Sequence, residues 1–115
     1  MNTEGPESPG DDTVPLTVTV VPLGNVTVVR LSGELDLATE DVLTAVADRV
    51  LATPARTVRL DLTELTFCDV RGLAAILRLR ARVVADERRL VLAGVSPALR
   101  RLLQVTGVGR HLDIE

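Results

Sequence analysis

A chain of 115 residues with 46% apolar content and a net charge of -3 is long enough for one domain with a modest core. Trp and Tyr are absent and Phe67 is the sole aromatic, so the core must be Val, Leu, Ile and Ala, and no aromatic platform can stack bases or sugars. The absence of a basic stripe argues against nucleic acid, a single cysteine rules out an intrachain disulfide, and no apolar run approaches the roughly 20 residues of a membrane-spanning helix.

Residues 1–13 combine Gly, Pro and Ser with Glu4, Glu7, Asp11 and Asp12 and contain no base, which predicts a disordered acidic tail. The domain is expected over residues 14–115, where twelve acids nearly balance thirteen arginines. The first residues lack the charged-then-apolar signature of a signal peptide, so a cytoplasmic protein without membrane insertion is expected.

Residues 16–20 alternate strictly, and after Pro22-Leu23-Gly24-Asn25 a second β-branched run covers 26–32, which predicts an antiparallel hairpin. Gly33-Glu34-Leu35-Asp36 reads as a tight exit. Residues 38–51 have helical spacing, with Val42 or Leu43, Val46, Val50 and Leu51 inward and Glu40, Asp41, Asp48 and Arg49 outward. Thr53-Pro54 ends that helix. In the strand from Thr57, Val58, Leu60 and Leu62 share one face and Arg59 and Asp61 the other, which predicts a sheet covered on one side.

The stretch 63–71 reads as a loop, with Asp69 placed to cap a helix over 71–85. That helix should bury Leu73, Ile76, Leu77, Ala81 and Val84 and turn Arg78, Arg82 and Asp86 to water. A strand over 89–93 leads to Ser96 as N-cap and Pro97 at the first helical position. The third helix carries Leu99, Leu102 and Leu103 and stops at Gly107, before a last strand over 111–114.

The order ββαβαβαβ predicts a single α/β domain: a mixed sheet opening with an antiparallel hairpin and continuing with parallel strands, helices mainly on one face. Loops 33–36, 63–71 and 94–96 then share the carboxyl edge of the sheet, where partners and ligands of open α/β sheets bind. A helix start there adds unpaired N–H groups and partial positive charge.

Catalytic chemistry is not expected. There is no Walker loop, and Gly107-Val108-Gly109 is a fragment of a dinucleotide fingerprint that follows a helix instead of a strand. His111 and Cys68 have no clustered partners for a zinc site or a nucleophile pair, so no metal or cofactor is implied, and Cys68 reads as a small buried thiol. Asp36 and Asp69 share the working edge, yet Asp in loops before helices is ordinarily a cap and not an acid–base pair. A chain without Lys cannot build the Lys-dependent acidic pocket of a receiver domain.

Four segments together resemble the STAS domains of bacterial anti-sigma factor antagonists: Leu31-Ser32-Gly33-Glu34-Leu35-Asp36; Leu60-Asp61-Leu62-Thr63-Glu64-Leu65-Thr66-Phe67-Cys68-Asp69; Gly72-Leu73; and Leu90 to Pro97 with Leu99-Arg100-Arg101-Leu102-Leu103 and Thr106-Gly107. The resemblance implies a protein that binds a GHKL-type serine kinase acting as anti-sigma factor, and so frees a sigma factor. In that family the loop usually reads Asp-Ser-Ser-Gly or Asp-Ser-x-Gly, and phosphorylation of the first Ser breaks the complex. Here Val70 and Arg71 stand at those positions, and a side chain without a hydroxyl cannot take the phosphate.

The resemblance thus implies a partner-binding edge of Asp36, Thr66, Asp69, Val70, Arg71 and Gly72, with Val70 as the non-phosphorylatable equivalent of the acceptor and Thr66 as the nearest alternative hydroxyl. It also admits a scaffold subunit of a larger assembly, stressosome-like or the STAS partner of a lipid-transporting ABC complex. A homodimer stays open.

Overall fold

The computed structural model describes residues 15–115; the acidic tail expected over 1–13 lies outside the described residues. The elements are β1 (Leu16–Leu23), β2 (Val26–Leu35), α1 (Glu40–Leu51), β3 (Thr57–Cys68), α2 (Val70–Ala85), β4 (Arg89–Ala93), α3 (Pro97–Thr106), a 3-10 turn (Val108–His111) and β5 (Asp113–Ile114). The strands lie side by side in the order β1-β2-β3-β4-β5, the first pair antiparallel and the rest parallel. This is the predicted mixed α/β architecture.

The hairpin turns on Gly24, whose φ of +67° at the first of two loop positions suits a two-residue connection between right-twisted strands. Pairing then runs unbroken from Leu23↔Val26 to Leu16↔Gly33, so both strands are longer than their alternation suggested. Gly33 and Glu34 belong to β2 and are not a tight exit from it.

The larger correction concerns β3, which continues through the predicted loop and leaves Asp69 alone between strand and helix. From Arg30↔Asp61 to Ser32↔Glu64, two steps of β2 face three of β3, and from Gly33↔Leu65 to Glu34↔Phe67 one step faces two. Each bulge adds a residue and flips the side-chain phase. Leu62, Leu65 and Cys68, three apart, therefore all turn to the core, while Thr63, Glu64, Thr66 and Phe67 are exposed. The Asp61 carboxylate holds the first bulge, accepting from the Thr63 hydroxyl at 2.6 Å and the Thr63 N–H at 3.0 Å. Those two bonds, helped by Arg30, keep its carboxyl below the usual range.

One apolar cluster joins Val29, Leu31, Val58, Leu60, Leu62, Leu90 and Leu92 to residues of all three helices, whereas Val28, Val91 and Ala93 on the reverse of the sheet stand outside it. The helices thus cover one face. The other carries the ion pairs Arg30–Asp61, Arg59–Glu115 and Arg89–Asp113.

Helix α1 buries Leu43, Val46, Ala47 and Val50; Val42 is exposed and Leu51 only half-buried. Helix α2 buries Gly72, Leu73, Ala75, Ile76, Leu79 and Val83. The predicted Ala81 and Val84 are exposed and Leu77 is half-buried, because contact of Gly72 with β2 sets the helix phase one residue back from the expected stripe. Arg88 closes the end of α1 by donating to the carbonyls of Leu51, Thr53 and Ala55. In α3, Ser96 accepts from the Leu99 N–H at 3.1 Å, Pro97 opens the helix and Gly107 ends it at φ +77°. The 3-10 turn that follows takes up His111, which shortens the expected last strand to Asp113–Ile114.

Candidate functional site

The carboxyl edge of β2 and β3 is built from side chains that satisfy backbone groups. Asp69 is the N-cap of α2, its Oδ1 accepting from the Gly72 N–H at 2.9 Å. Cys68 before it and Leu73 four residues after it both pack on the core, the arrangement of a hydrophobic staple. Gly72 faces the Leu35 carbonyl so closely that a Cβ there would overlap its oxygen, and the Asp69 N–H meets the same oxygen at 3.4 Å. Asp36 continues from Leu35, so Asp36 and Asp69 leave neighbouring strands side by side.

Asp36 closes its own turn by accepting from the Ala38 N–H at 3.0 Å. Thr39, almost wholly buried, donates to the Glu34 carbonyl at 2.7 Å and accepts from the Asp36 N–H at 3.0 Å. Thr66 donates to the Gly33 carbonyl at 3.0 Å and so ties the bulged end of β3 to β2. Asp69 caps α2 as sequence chemistry suggests, whereas Asp36 closes a turn ahead of α1, whose N-cap is Thr39.

Val70, the first residue of α2, is 61% exposed. Its surroundings at this edge include two more large apolar side chains turned to solvent, Leu37 at 61% and Phe67 at 49%. Below Phe67 a cleft of about 120 Å³ opens between the end of β3 and the start of α3, lined by Leu62, Leu65, Cys68, Ala98 and Leu99. A larger open groove of about 570 Å³ lies at the far end of α3, between Arg100 and Arg110, and shares no residue with this edge.

Arg71 does not project freely from the edge. It donates to Glu40 Oε2 at 2.9 Å, and Arg78 donates to Glu40 Oε1 at 3.1 Å. Glu40, expected outward, has a side chain only 13% exposed, and its hydrogen bond from Arg71, with that from Arg78, holds its carboxyl below the usual value. Arg82 likewise reaches Asp48 on α1, so Arg78 and Arg82 are not simply solvated. Sequence reasoning missed Glu40, Leu37 and the exposure of Phe67. Only Phe67 left a signal, as the one aromatic of the chain, three residues before Val70.

The Cys68 thiol is pushed up to about 12 by burial, with the Asp69 charge adding to it, so it is neutral and poorly nucleophilic at ordinary pH. Among the described residues no group of His, Cys, Asp and Glu could hold a metal ion, and no helix is long and apolar enough to cross a membrane. What the edge offers is three exposed apolar side chains, Leu37, Phe67 and Val70, on a hydrogen-bonded frame.

The family model described as "Mlab, STAS domain" matches residues 18–114. Among solved structures, an anti-sigma factor antagonist from Mycobacterium paratuberculosis is similar at 25% identity and a TM-score of 0.76, over 86% of this chain and 84% of that one. A sulfate transporter family protein from Wolinella succinogenes is similar at 26% identity and a TM-score of 0.68, over 82% and 75%. The anti-sigma factor antagonist SpoIIAA in its unphosphorylated form shares the fold at 21% identity and a TM-score of 0.66, over 86% and 87%.

Proposed function

This chain belongs to the STAS domain family, and from that premise we propose that it is an anti-sigma factor antagonist whose docking edge is held permanently in the binding-competent state. Its partner would be an anti-sigma factor of the GHKL kinase type in the cytoplasm, and its binding would free a sigma factor. The acidic residues 1–13 would precede the binding domain and take no part in the contact. The role is one of binding, not catalysis.

The observation that carries this reading is the display of Val70. It stands at the first position of α2, directly after the Asp69 cap, with its side chain exposed, and Phe67 and Leu37, near the ends of β3 and β2, are exposed as well. A phosphate at such a place would put roughly two negative charges into an apolar contact and break it by desolvation. Val70 has no oxygen to accept one. The likeness to the antagonist from Mycobacterium paratuberculosis supports the same role.

A second reading is a subunit of a larger assembly, a stressosome-like scaffold or the STAS partner of a lipid-transporting ABC complex. The missing hydroxyl and the likeness to a sulfate transporter family protein favour it to that extent. One experiment separates the two. Binding to the cognate anti-sigma factor is measured for the wild type, Val70→Ser and Val70→Asp, with intact-mass analysis after incubation with kinase and ATP. The antagonist reading expects binding by wild type and Val70→Ser, loss with Val70→Asp, and no phosphate on the wild type. Binding that ignores all three side chains removes the edge from the interface, and phosphate on the wild-type loop removes the permanent state.

A further inference from the structure

The outer edge of β1, unpaired among the described residues, has a pattern that the docking edge does not use. Two observations fix which of its backbone groups point inward. The hairpin closes on the pair Leu23↔Val26, and the Pro15 carbonyl accepts from the Glu34 N–H at 2.7 Å. Both put the odd-numbered residues in hydrogen-bonded pairs with β2, so the N–H and C=O groups of Leu16, Val18 and Val20 point away from the sheet. Pro22 falls at the next outward position, where a missing N–H costs the β1–β2 ladder nothing.

Among the described residues no strand pairs with this edge, since the sheet order ends at β1. Eight residues long, β1 lacks any charged side chain, the commonest protection of a free edge. Its reverse face changes character along the strand, from Thr17 and Thr19 to half-buried Val21 and exposed Leu23. Leu16, Val18 and Val20 lie on the core side, buried or half-buried, and Thr17 and Thr19 are exposed on the reverse.

We propose that β1 is a self-pairing edge, onto which a second copy of this chain adds antiparallel about a two-fold axis at Val18, continuing one sheet through both molecules. The register follows from proline and the pleat. With Val18 opposite Val18 of the second copy, Leu16 meets Val20, every outward N–H finds a carbonyl, and Pro22 stays outside the ladder. Sliding two residues toward the turn gains no bond, since Pro22 then faces Leu16 without a donor on each side, and it sets Thr17 against Val21. Sliding by one sets outward groups against inward ones and apolar side chains against threonines. In the favoured register apolar meets apolar and Thr17 meets Thr19, with no charge to bury. A second copy is the occupant because the run Leu16-Thr17-Val18-Thr19-Val20 reads the same in side-chain type in both directions from Val18, as a two-fold axis there requires.

The test uses the full chain. Sedimentation velocity up to millimolar concentration should show a monomer–dimer equilibrium, and amide exchange at Val18 and Val20 should slow by about tenfold once the dimer dominates. Val18→Pro removes an outward donor and no bond of the β1–β2 ladder, so it should abolish the dimer and keep the fold by circular dichroism. If that variant does not fold, the double variant Thr17→Glu with Thr19→Lys places opposite charges across the axis twice and should tighten the dimer at low salt. The proposal is overturned by a monomer at every concentration, by a dimer in which Val18 and Val20 exchange as in the monomer, or by a dimer indifferent to whichever variant folds.

Discussion

Arg71 in the first turn of α2 is bound to Glu40, the first residue of α1, and the second oxygen of that carboxylate holds Arg78 two turns further along the same face of the helix. One acid thus fixes the start of α2 against α1 beside the displayed Val70, and offsets a cation placed where the helix dipole disfavours it. Because Arg71 foremost, with Arg78, lowers the folded pKa of Glu40 beneath its ordinary 4.5, the pair stabilises the fold above that value. The contribution is lost as pH falls through the lowered folded value. Urea midpoints measured at descending pH should therefore drop below about pH 4.5, and drop less steeply for Glu40→Gln. Asp61 and Glu115, also lowered, keep part of the slope in the variant. Parallel curves for the two proteins would show that the pair contributes nothing.

Gly72→Ala inverts a common rule. In a free helix interior that change gains about 0.5–1 kcal/mol. Here the new Cβ meets the Leu35 carbonyl oxygen and carbon and the Cys68 sulfur, and two of those three are backbone. The helix start must lift off β2, at a cost of about 2 kcal/mol in chemical denaturation. Since Val70 moves with it, partner binding should weaken as well. A variant as stable as the wild type would mean that α2 shifts freely at this contact.

Cys68 should resist thiol reagents while the protein is folded. Burial raises its thiol to about 12, above an ordinary value of 9.0, so the thiolate is scarce at pH 8. The sign also fixes an alkaline effect. Between those two values the unfolded chain ionises and the folded one does not, so stability falls as pH rises through that window. Labelling followed by absorbance at pH 8, with and without denaturant, should give fast reaction only in denaturant. Equal rates would place the sulfur at the surface.

What the sequence made legible was the chemistry confined to a few neighbouring residues. The hairpin at Gly24, the caps at Asp69 and Ser96, Pro97 at a helix start and Gly107 at a helix end depend on local dihedrals and local hydrogen bonds, and each stands where expected. The run of β3 past Leu62 was hidden because two bulges change the period from two to three, so an unbroken strand looks like a polar loop. The phase of α2 was hidden because a contact with Leu35, distant in sequence, decides it. Glu40 reads as a solvated acid within α1, and nothing nearby announces that its partners lie 31 and 38 residues away.

Thr39 shows how the carboxyl edge of β2 depends on one buried hydroxyl. Pro15 occupies the position that would otherwise donate to the Glu34 carbonyl from the edge strand, and the Thr39 hydroxyl donates there in its place while accepting from the Asp36 N–H. Thr39→Val keeps the shape and removes both bonds, leaving a carbonyl and an N–H unsatisfied beside the end of β2. The expected cost is about 2 kcal/mol, near the middle of what an unmade buried hydrogen bond exacts. Thr39→Ser retains the oxygen and should recover most of that loss. Because the turn holding Leu37 hangs on these bonds, Thr39→Val should also speed amide exchange at Asp36 and Ala38 more than at Val58 in the centre of the sheet. Uniform acceleration at all three would instead mean that the hydroxyl supports the whole fold and not the edge.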